Sequence, residues 1–228
     1  MPASLRHLAN WAIIGTLLAQ DPCGRQILMS ELTELYDQIR ACTRCVLAQG
    51  RTRAVPGEGP ETADVMFIGE APGFHEDKSG RPFVGAAGRF LEELLSDIGL
   101  HRKDVYIANV IKCRPPGNRS PTPTEIEACR PYLDRQIELV QPRIVITLGR
   151  FSMERHFPGA RISSIHGIPK KIDGVLYYPM YHPAAALHQP SLRQDVVGDM
   201  KKIPELLRQI EQIEESNRPE DAEQLALF

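Results

Sequence analysis

Short apolar runs alternate along this chain with stretches of helical period. Residues 64–69, Val105 to Ile111, Arg143 to Leu148 and Val175 to Met180 read as buried strands, each closed by Gly, Pro or polar residues. A helix over about 86–99 carries Phe90, Leu91, Leu94, Leu95 and Ile98 on one face, a spacing suited to packing on a sheet. Further helices are predicted from near Thr124 to Val140 and from Gly149 to about Phe157. Ser30 stands as N-cap before Glu31, Leu32, Leu35 and Ile39, so a helix over about 30–40 opens the compact part, and an amphipathic helix over about 192–213 ends it. Residues 158–174 are read as an irregular or hairpin connection. Strands alternating with helices predict an α/β fold of three layers, α/β/α, around a mostly parallel four-stranded sheet.

The pattern also divides the chain. Residues 1–29 read as an N-terminal extension, 30–213 as one domain and 214–228 as an acidic tail. The apolar segment Leu8 to Ala19 resembles a signal peptide superficially, but it carries Asn10 and is too short to cross a bilayer. With 228 residues, 42% of them hydrophobic, one domain with a substantial core is expected. The formal charge is −2, but six acidic residues and one basic residue lie from Glu211 onward, leaving 26 basic against 23 acidic before it. A mildly basic body is compatible with a polyanionic partner. Five cysteines are too few and too unevenly spaced for a secreted disulfide framework, so a reducing, cytoplasmic setting is expected, with the protein a monomer away from membranes.

In parallel sheets ligands sit outside the carboxyl ends of the strands. Three strand ends deliver Glu70, Asn109 and His182 to that edge. The first of them opens a loop rich in Gly and carboxylates, with Glu76 and Asp77, which is the build of an active-site loop. Cys42 and Cys45 are separated by two residues, and Cys113 and Cys129 by fifteen across a Pro-rich loop. Four thiolates so arranged can enclose a tetrahedral zinc or an iron–sulfur cluster, and spacing alone leaves both open. Cys23 lies outside the set.

The strings GEAPGFHEDKSGRPFVGAAG (69–88), YIANVIKCRPPGNRSPTPTEIEAC (106–129) and YHPAAAL (181–187), with the leading CTRC (42–45), resemble the iron–sulfur-containing family 4 uracil-DNA glycosylases. The likeness runs from about 30 to 210. It implies a uracil-DNA glycosylase-like fold and a monofunctional repair enzyme that hydrolyses the N-glycosidic bond of uracil in single- or double-stranded DNA. It further implies a 4Fe-4S cluster on Cys42, Cys45, Cys113 and Cys129, structural rather than redox-catalytic. The alternative is a non-catalytic iron–sulfur DNA-binding adaptor of the same fold.

The residue types suit that chemistry. A base must be turned out of the stack and read on its Watson–Crick edge. The Asn109 amide can accept from uracil N3–H and donate to O4, a pattern cytosine reverses. Phe83 resembles the family's base-stacking aromatic, with Gly69 and Ala71 beside the base. His182 resembles the histidine near uracil O2, where a hydrogen bond strengthens in the transition state. Ala71 stands where other branches of the superfamily place an aspartate, so Glu70 is the first candidate for orienting water or stabilising the sugar cation and Glu76 the second.

Leu187 is the candidate wedge behind the flipped nucleotide. Arg114, Arg119, Arg193 and Lys112 are candidate phosphate contacts. The chain ends in Gln224, Leu225, Ala226, Leu227 and Phe228, which resembles the QL-x-LF peptide that docks bacterial repair proteins into the sliding clamp. Leu225, Leu227 and Phe228 would be the anchors and Gln224 the polar locator.

Overall fold

The computed structural model describes residues 18–20, 26–28 and 30–216. The clamp-like peptide Gln224 to Phe228, Cys23 and most of the expected N-terminal extension lie outside the described residues. Within that extension, β1 (Leu18–Gln20) pairs antiparallel with β2 (Gln26–Leu28).

The domain opens with α1 (Glu31–Ala41), where the Ser30 hydroxyl accepts the Thr33 amide N–H at 3.2 Å as the N-cap pattern predicts. A one-turn helix, α2 (Leu47–Gly50), follows the cysteine pair. Then come β3 (Val65–Gly69), the short α3 (Phe74–Ser79), α4 (Ala86–Asp97) and β4 (Tyr106–Asn109). Helix α5 (Pro123–Val140) starts with a reciprocal cap: the Thr122 N–H donates to Glu125 Oε2 at 2.8 Å, and the Glu125 N–H donates back to Thr122 Oγ1 at 3.4 Å. Next are β5 (Ile144–Leu148), α6 (Arg150–Glu154), α7 (Ile162–Ile165), β6 (Lys170–Ile172) and β7 (Val175–Met180). The chain closes with α8 (Pro183–His188), α9 (Arg193–Met200) and α10 (Ile203–Ser216).

The sheet order is β4-β3-β5-β7-β6. The first four strands are the predicted parallel set. The fifth strand corrects the expected count of four: β6 pairs antiparallel with β7 around the turn Asp173-Gly174, both at positive φ (48° and 88°). That is the backbone a two-residue hairpin requires, and Asp-Gly supplies it. Lys170 and Lys171 are exposed on this edge strand, which leaves it without an apolar run to read. The single C-terminal helix is corrected as well. It breaks between Met200 and Ile203 because Pro204 has no N–H for the Met200 carbonyl and its ring would strike it.

Alternate residues of each strand bury into opposite layers. Met66, Ile68, Tyr106, Ala108 and Val145 pack with α1 and α5, while Val65, Phe67, Ile107, Ile146 and Tyr178 pack with α4, α9 and α10. Burying both faces makes the strands continuous apolar runs and fixes their register. That register sets Gly69 opposite Asn109 and Leu148 opposite Met180, so β3, β4, β5 and β7 end on one edge. Among the described residues no helix is long and apolar enough to cross a membrane.

Candidate active site and cysteine centre

A pocket of about 360 Å³ opens at that edge. Glu70, Ala71, Glu76, Phe83, Asn109, Arg119 and His182 all line it, so the strand ends and the 69–88 loop converge as expected. Pro72, Gly73, Ala87, Pro115, Asn118 and Ala184 complete the wall.

Asn109 is buried as the last residue of β4, and its main-chain carbonyl accepts from Lys112 Nζ at 2.8 Å. Beside it, Gly69 leaves no room for a side chain. A Cβ there would stand 2.6 Å from Phe83 Cζ and clash with Asn109 Oδ1. Phe83 is buried at φ 52°, a left-handed conformation that costs a bulky residue on the order of 1–3 kcal/mol. Its carbonyl accepts from Arg102 Nη1 at 2.9 Å, the Pro82 carbonyl accepts from Arg102 Nη2, and Gly88 packs so close that a Cβ would collide with the Phe83 main chain. Arg102 itself is held by Glu58 at 2.9 Å.

His182 faces the Phe83 ring at 5.5 Å between centroids and 22° between planes. Its Nδ1 accepts the Ala184 amide N–H at 3.1 Å, which places the proton of a neutral ring on Nε2. Burial pulls its pKa down to about 4 against a small opposing pull from Glu76, so the ring stays neutral at ordinary pH. Glu70 is half-buried, and burial raises its carboxyl pKa, opposed by Ser120 and Arg150.

Glu76 takes a different part from the water-orienting one expected. Its Oε1 accepts the N–H groups of Val84 and Gly85, both at 2.8 Å, and Oε2 accepts that of Gly73 at 3.1 Å. Both oxygens are spent closing the 73–85 loop, which leaves Glu70, beside Ser120 and Arg150, as the pocket's other carboxylate. Asp77, also buried, accepts from the Thr52 N–H at 2.8 Å.

The expected phosphate contacts fare unequally. Lys112 is corrected outright: it is 1% exposed, with Nζ on the Asn109 carbonyl and on Gln136 Oε1 at 2.5 Å, out of reach of any phosphate. Arg119 is committed to buried Glu125 through two bonds of 2.9 and 2.7 Å, and that pairing lowers the Glu125 carboxyl pKa to about 2. Arg114 donates to Asn118 Oδ1 at 2.7 Å, and Arg193 lies over the Phe90 ring. Leu187 is 41% exposed on α8, an apolar side chain held in solvent.

Cys42, Cys45, Cys113 and Cys129 line one small cavity at the C-terminal end of α1, beside α5. None is in a disulfide. N–H donors point at three of the sulfurs: Arg51 Nη1 to Cys113 at 3.0 Å, Lys112 N to Cys129 at 3.3 Å and Arg44 N to Cys42 at 3.4 Å. Burial raises the Cys113 pKa and pushes the Cys129 thiol up to about 11.

The model of the Uracil DNA glycosylase superfamily matches residues 56–208. A type-4 uracil-DNA glycosylase of Sulfurisphaera tokodaii is 49% identical over 188 residues, 78% of this chain and 86% of that protein. The type-4 enzyme of Archaeoglobus fulgidus is 46% identical over 187 residues, 78% of this chain and 94% of its own. The chain belongs to the type-4 uracil-DNA glycosylase family. A Thermotoga maritima relative of the same type, 41% identical over 184 residues, is covered to 96%. The matched residues 56–208 include the whole lining of this pocket together with Cys113 and Cys129 of the cysteine cavity.

Proposed function

We propose that the protein excises uracil from DNA by hydrolysing its N-glycosidic bond, leaving an abasic site. The observation that carries this reading is the convergence of Asn109, Phe83, His182 and Glu70 on one pocket at the strand ends. Uracil turned out of the duplex stacks on Phe83, while the Asn109 amide accepts from N3–H and donates to O4. Cytosine meets the same amide with its donor and acceptor exchanged, at a cost of about 1–3 kcal/mol for each bond left unmade.

As the bond from C1′ to N1 breaks, its electron pair moves into the uracil ring and charge builds on O2. The neutral His182 donates Nε2–H to that oxygen, a bond that strengthens toward the transition state. Glu70 faces the cationic sugar and takes a proton from the attacking water, whose oxygen joins C1′. Uracil leaves as an anion and is protonated in solution. A non-catalytic adaptor would need neither the strained Phe83 nor a neutral histidine facing it.

Cys42, Cys45, Cys113 and Cys129 are the proposed ligands of a 4Fe-4S cluster. The donor set fits: buried thiols with raised pKa become thiolates only beside positive charge, and N–H groups already point at three of them. The four cysteines share one cavity. The cluster's part is structural, joining α1, the segment after β4 and α5. Purified protein should be brown with broad visible absorbance, and a colourless zinc protein would contradict this. Leu187 is the proposed wedge. Residues 224–228 are proposed to dock on the sliding clamp, and unchanged clamp affinity after their deletion removes that part.

The deciding assay incubates the protein with uracil-containing single- and double-stranded oligonucleotides and looks for alkali-labile abasic sites. Wild type should produce them. Asn109→Ala and His182→Ala should lose activity by about a hundredfold or more, on the scale of losing one aligned donor.

A further inference from the structure

A second group of guanidinium side chains lies apart from the cations expected to meet DNA phosphates. Arg40 at the end of α1, Arg51 and Arg53 after α2, and Arg81 after α3 line one groove of about 660 Å³. No carboxylate is among its lining residues. Three of the four arginines already have partners: Asp37 pairs with Arg40 at 2.7 Å, Glu58 takes two bonds from Arg81 at 2.7 and 2.8 Å, and Arg51 donates to Cys113 Sγ at 3.0 Å and to the Arg40 carbonyl at 2.8 Å, while Asp77 is turned inward to the Thr52 amide; each guanidinium keeps further N–H donors for a phosphate. Arg53 is exposed, with its guanidinium 3.5 Å from the Ser79 carbonyl.

Helix α3 joins this groove to the pocket. Its start, at Gly73 and Glu76, lines the pocket, and its end, at Ser79 and Gly80, lines the groove. Six residues of helix span about 9 Å. On the same helix, Phe74 is 44% exposed, with Lys78 Nζ at 4.3 Å and the Arg114 guanidinium carbon at 5.1 Å from its ring centre. An exposed ring flanked by cations is a platform on which any base can stack. The Asp77 carboxylate accepts the Thr52 and Arg53 main-chain N–H groups and so ties the groove's loop to α3.

We propose that this four-arginine groove binds the phosphodiester backbone of the DNA strand carrying the target nucleotide, which leaves the pocket over Phe74 and follows α3. At 3.4 Å of rise per nucleotide, 9 Å places the groove about two to three nucleotides from the flipped one. Four guanidinium groups from three separate segments suit an extended polyanion rather than a single phosphate. The proposal rests on the reading of the pocket as a uracil site only for the identity of the strand.

The test compares the full-length, cluster-loaded wild type with Arg40→Ala/Arg53→Ala. These two residues touch neither the cysteine sulfurs nor the pocket, and melting temperature confirms folding. Binding of a uracil-containing single strand of about 15 nucleotides, a length typical of such grooves, is followed against salt. Loss of two phosphate contacts should reduce the slope of log affinity against log salt by about 1.4, at about 0.7 per phosphate in single strands, and weaken binding roughly tenfold. Uracil release at saturating substrate should be unchanged, and Arg40→Lys/Arg53→Lys should keep the wild-type slope.

An unchanged slope in the alanine variant overturns the proposal. So does an equal loss on a uracil trinucleotide too short to follow α3, or displacement of the long strand by inorganic phosphate beyond the effect of chloride at equal ionic strength. If wild type binds with the predicted slope difference but releases no uracil, the glycosylase reading fails and the groove stands. Uracil release with no slope difference removes the groove alone.

Discussion

The carbonyl of Phe83 accepts a hydrogen bond from Arg102 Nη1 at 2.9 Å, and this contact pins a phenylalanine whose backbone lies at φ 52°. Strained residues persist only where their surroundings over-determine them. Here Arg102, anchored by Glu58, grips two successive carbonyls, and Gly88 packs against the same peptide. The proposed stacking face of the pocket is therefore set by Arg102, a residue outside the pocket's lining.

Arg102→Ala should consequently lower kcat/KM about 10- to 100-fold, or about 1.4–2.7 kcal/mol of transition-state stabilisation. Arg102→Lys should recover little, because one ammonium cannot reproduce the planar grip on both carbonyls. Steady-state kinetics on a uracil oligonucleotide checks this, and full activity in Arg102→Ala would show that Phe83 holds its position unaided.

Gly69→Ala places a methyl group between the Phe83 ring and the Asn109 amide. Either the ring or the amide must move, and both belong to the proposed uracil site. The expected result is a loss of kcat/KM of about a hundredfold with a small change in melting temperature, since 1 Å of misplacement suffices for such a loss. A large drop in melting temperature with intact activity in the folded fraction would place the effect in the core instead.

Much of this site was legible in the sequence because parallel strands end where their ligands bind. Asn109 and His182 follow apolar runs, and the sheet register brings them to one edge with Glu70. The four cysteines were legible for the same reason: they flank the elements that bring them together. Other features were hidden by physics that sequence does not display. Glu76 looks like a free carboxylate until its loop folds back on it with three N–H groups. Lys112 looks like a phosphate contact, yet its chain turns inward beneath Asn109. The arginines at 40, 51, 53 and 81 are scattered over three segments, and no spacing rule joins them. The edge strand β6 lacked an apolar run, although Asp173-Gly174 marked its turn.

His182 should be titrated only in acid. Its folded pKa, lowered by burial to about 4, lies below the imidazole's ordinary 6.5. Between those values the unfolded chain binds the proton and the folded one does not. The contribution of neutral His182 is thus complete above about 6.5 and is lost as pH falls toward 4. In wild type, NMR of the His182 ring should show the neutral Nε2–H form at pH 6, and uracil release should have no limb near 6.5 attributable to this residue. A His182 titration centred near 6.5 would contradict the lowering by burial, and a neutral Nδ1–H form would contradict the tautomer assigned from the Ala184 amide.

Glu70 carries the opposite sign. Burial raises its pKa above the ordinary 4.5, which makes the charged form costly in the folded state. As pH rises from 4.5 through the raised value, the unfolded chain loses its proton first, so folding stability falls across that window and stays lower at neutral pH. A neutral isostere removes this cost. Glu70→Gln should therefore melt higher than wild type at pH 7, with the difference shrinking as pH is lowered below 4.5. The same substitution removes the group proposed to face the sugar cation and to take the proton from water, so uracil release should fall by about 10²- to 10⁴-fold and lose the acid limb set by this carboxyl. A site held at the expense of stability is expected where charge must stand ready in a half-dry pocket. Thermal melts at the two pH values and a pH–rate profile decide the matter together. A variant that is less stable at pH 7 would mean that Glu70 is satisfied by its neighbours, and an unaltered acid limb would assign the proton transfer to another group.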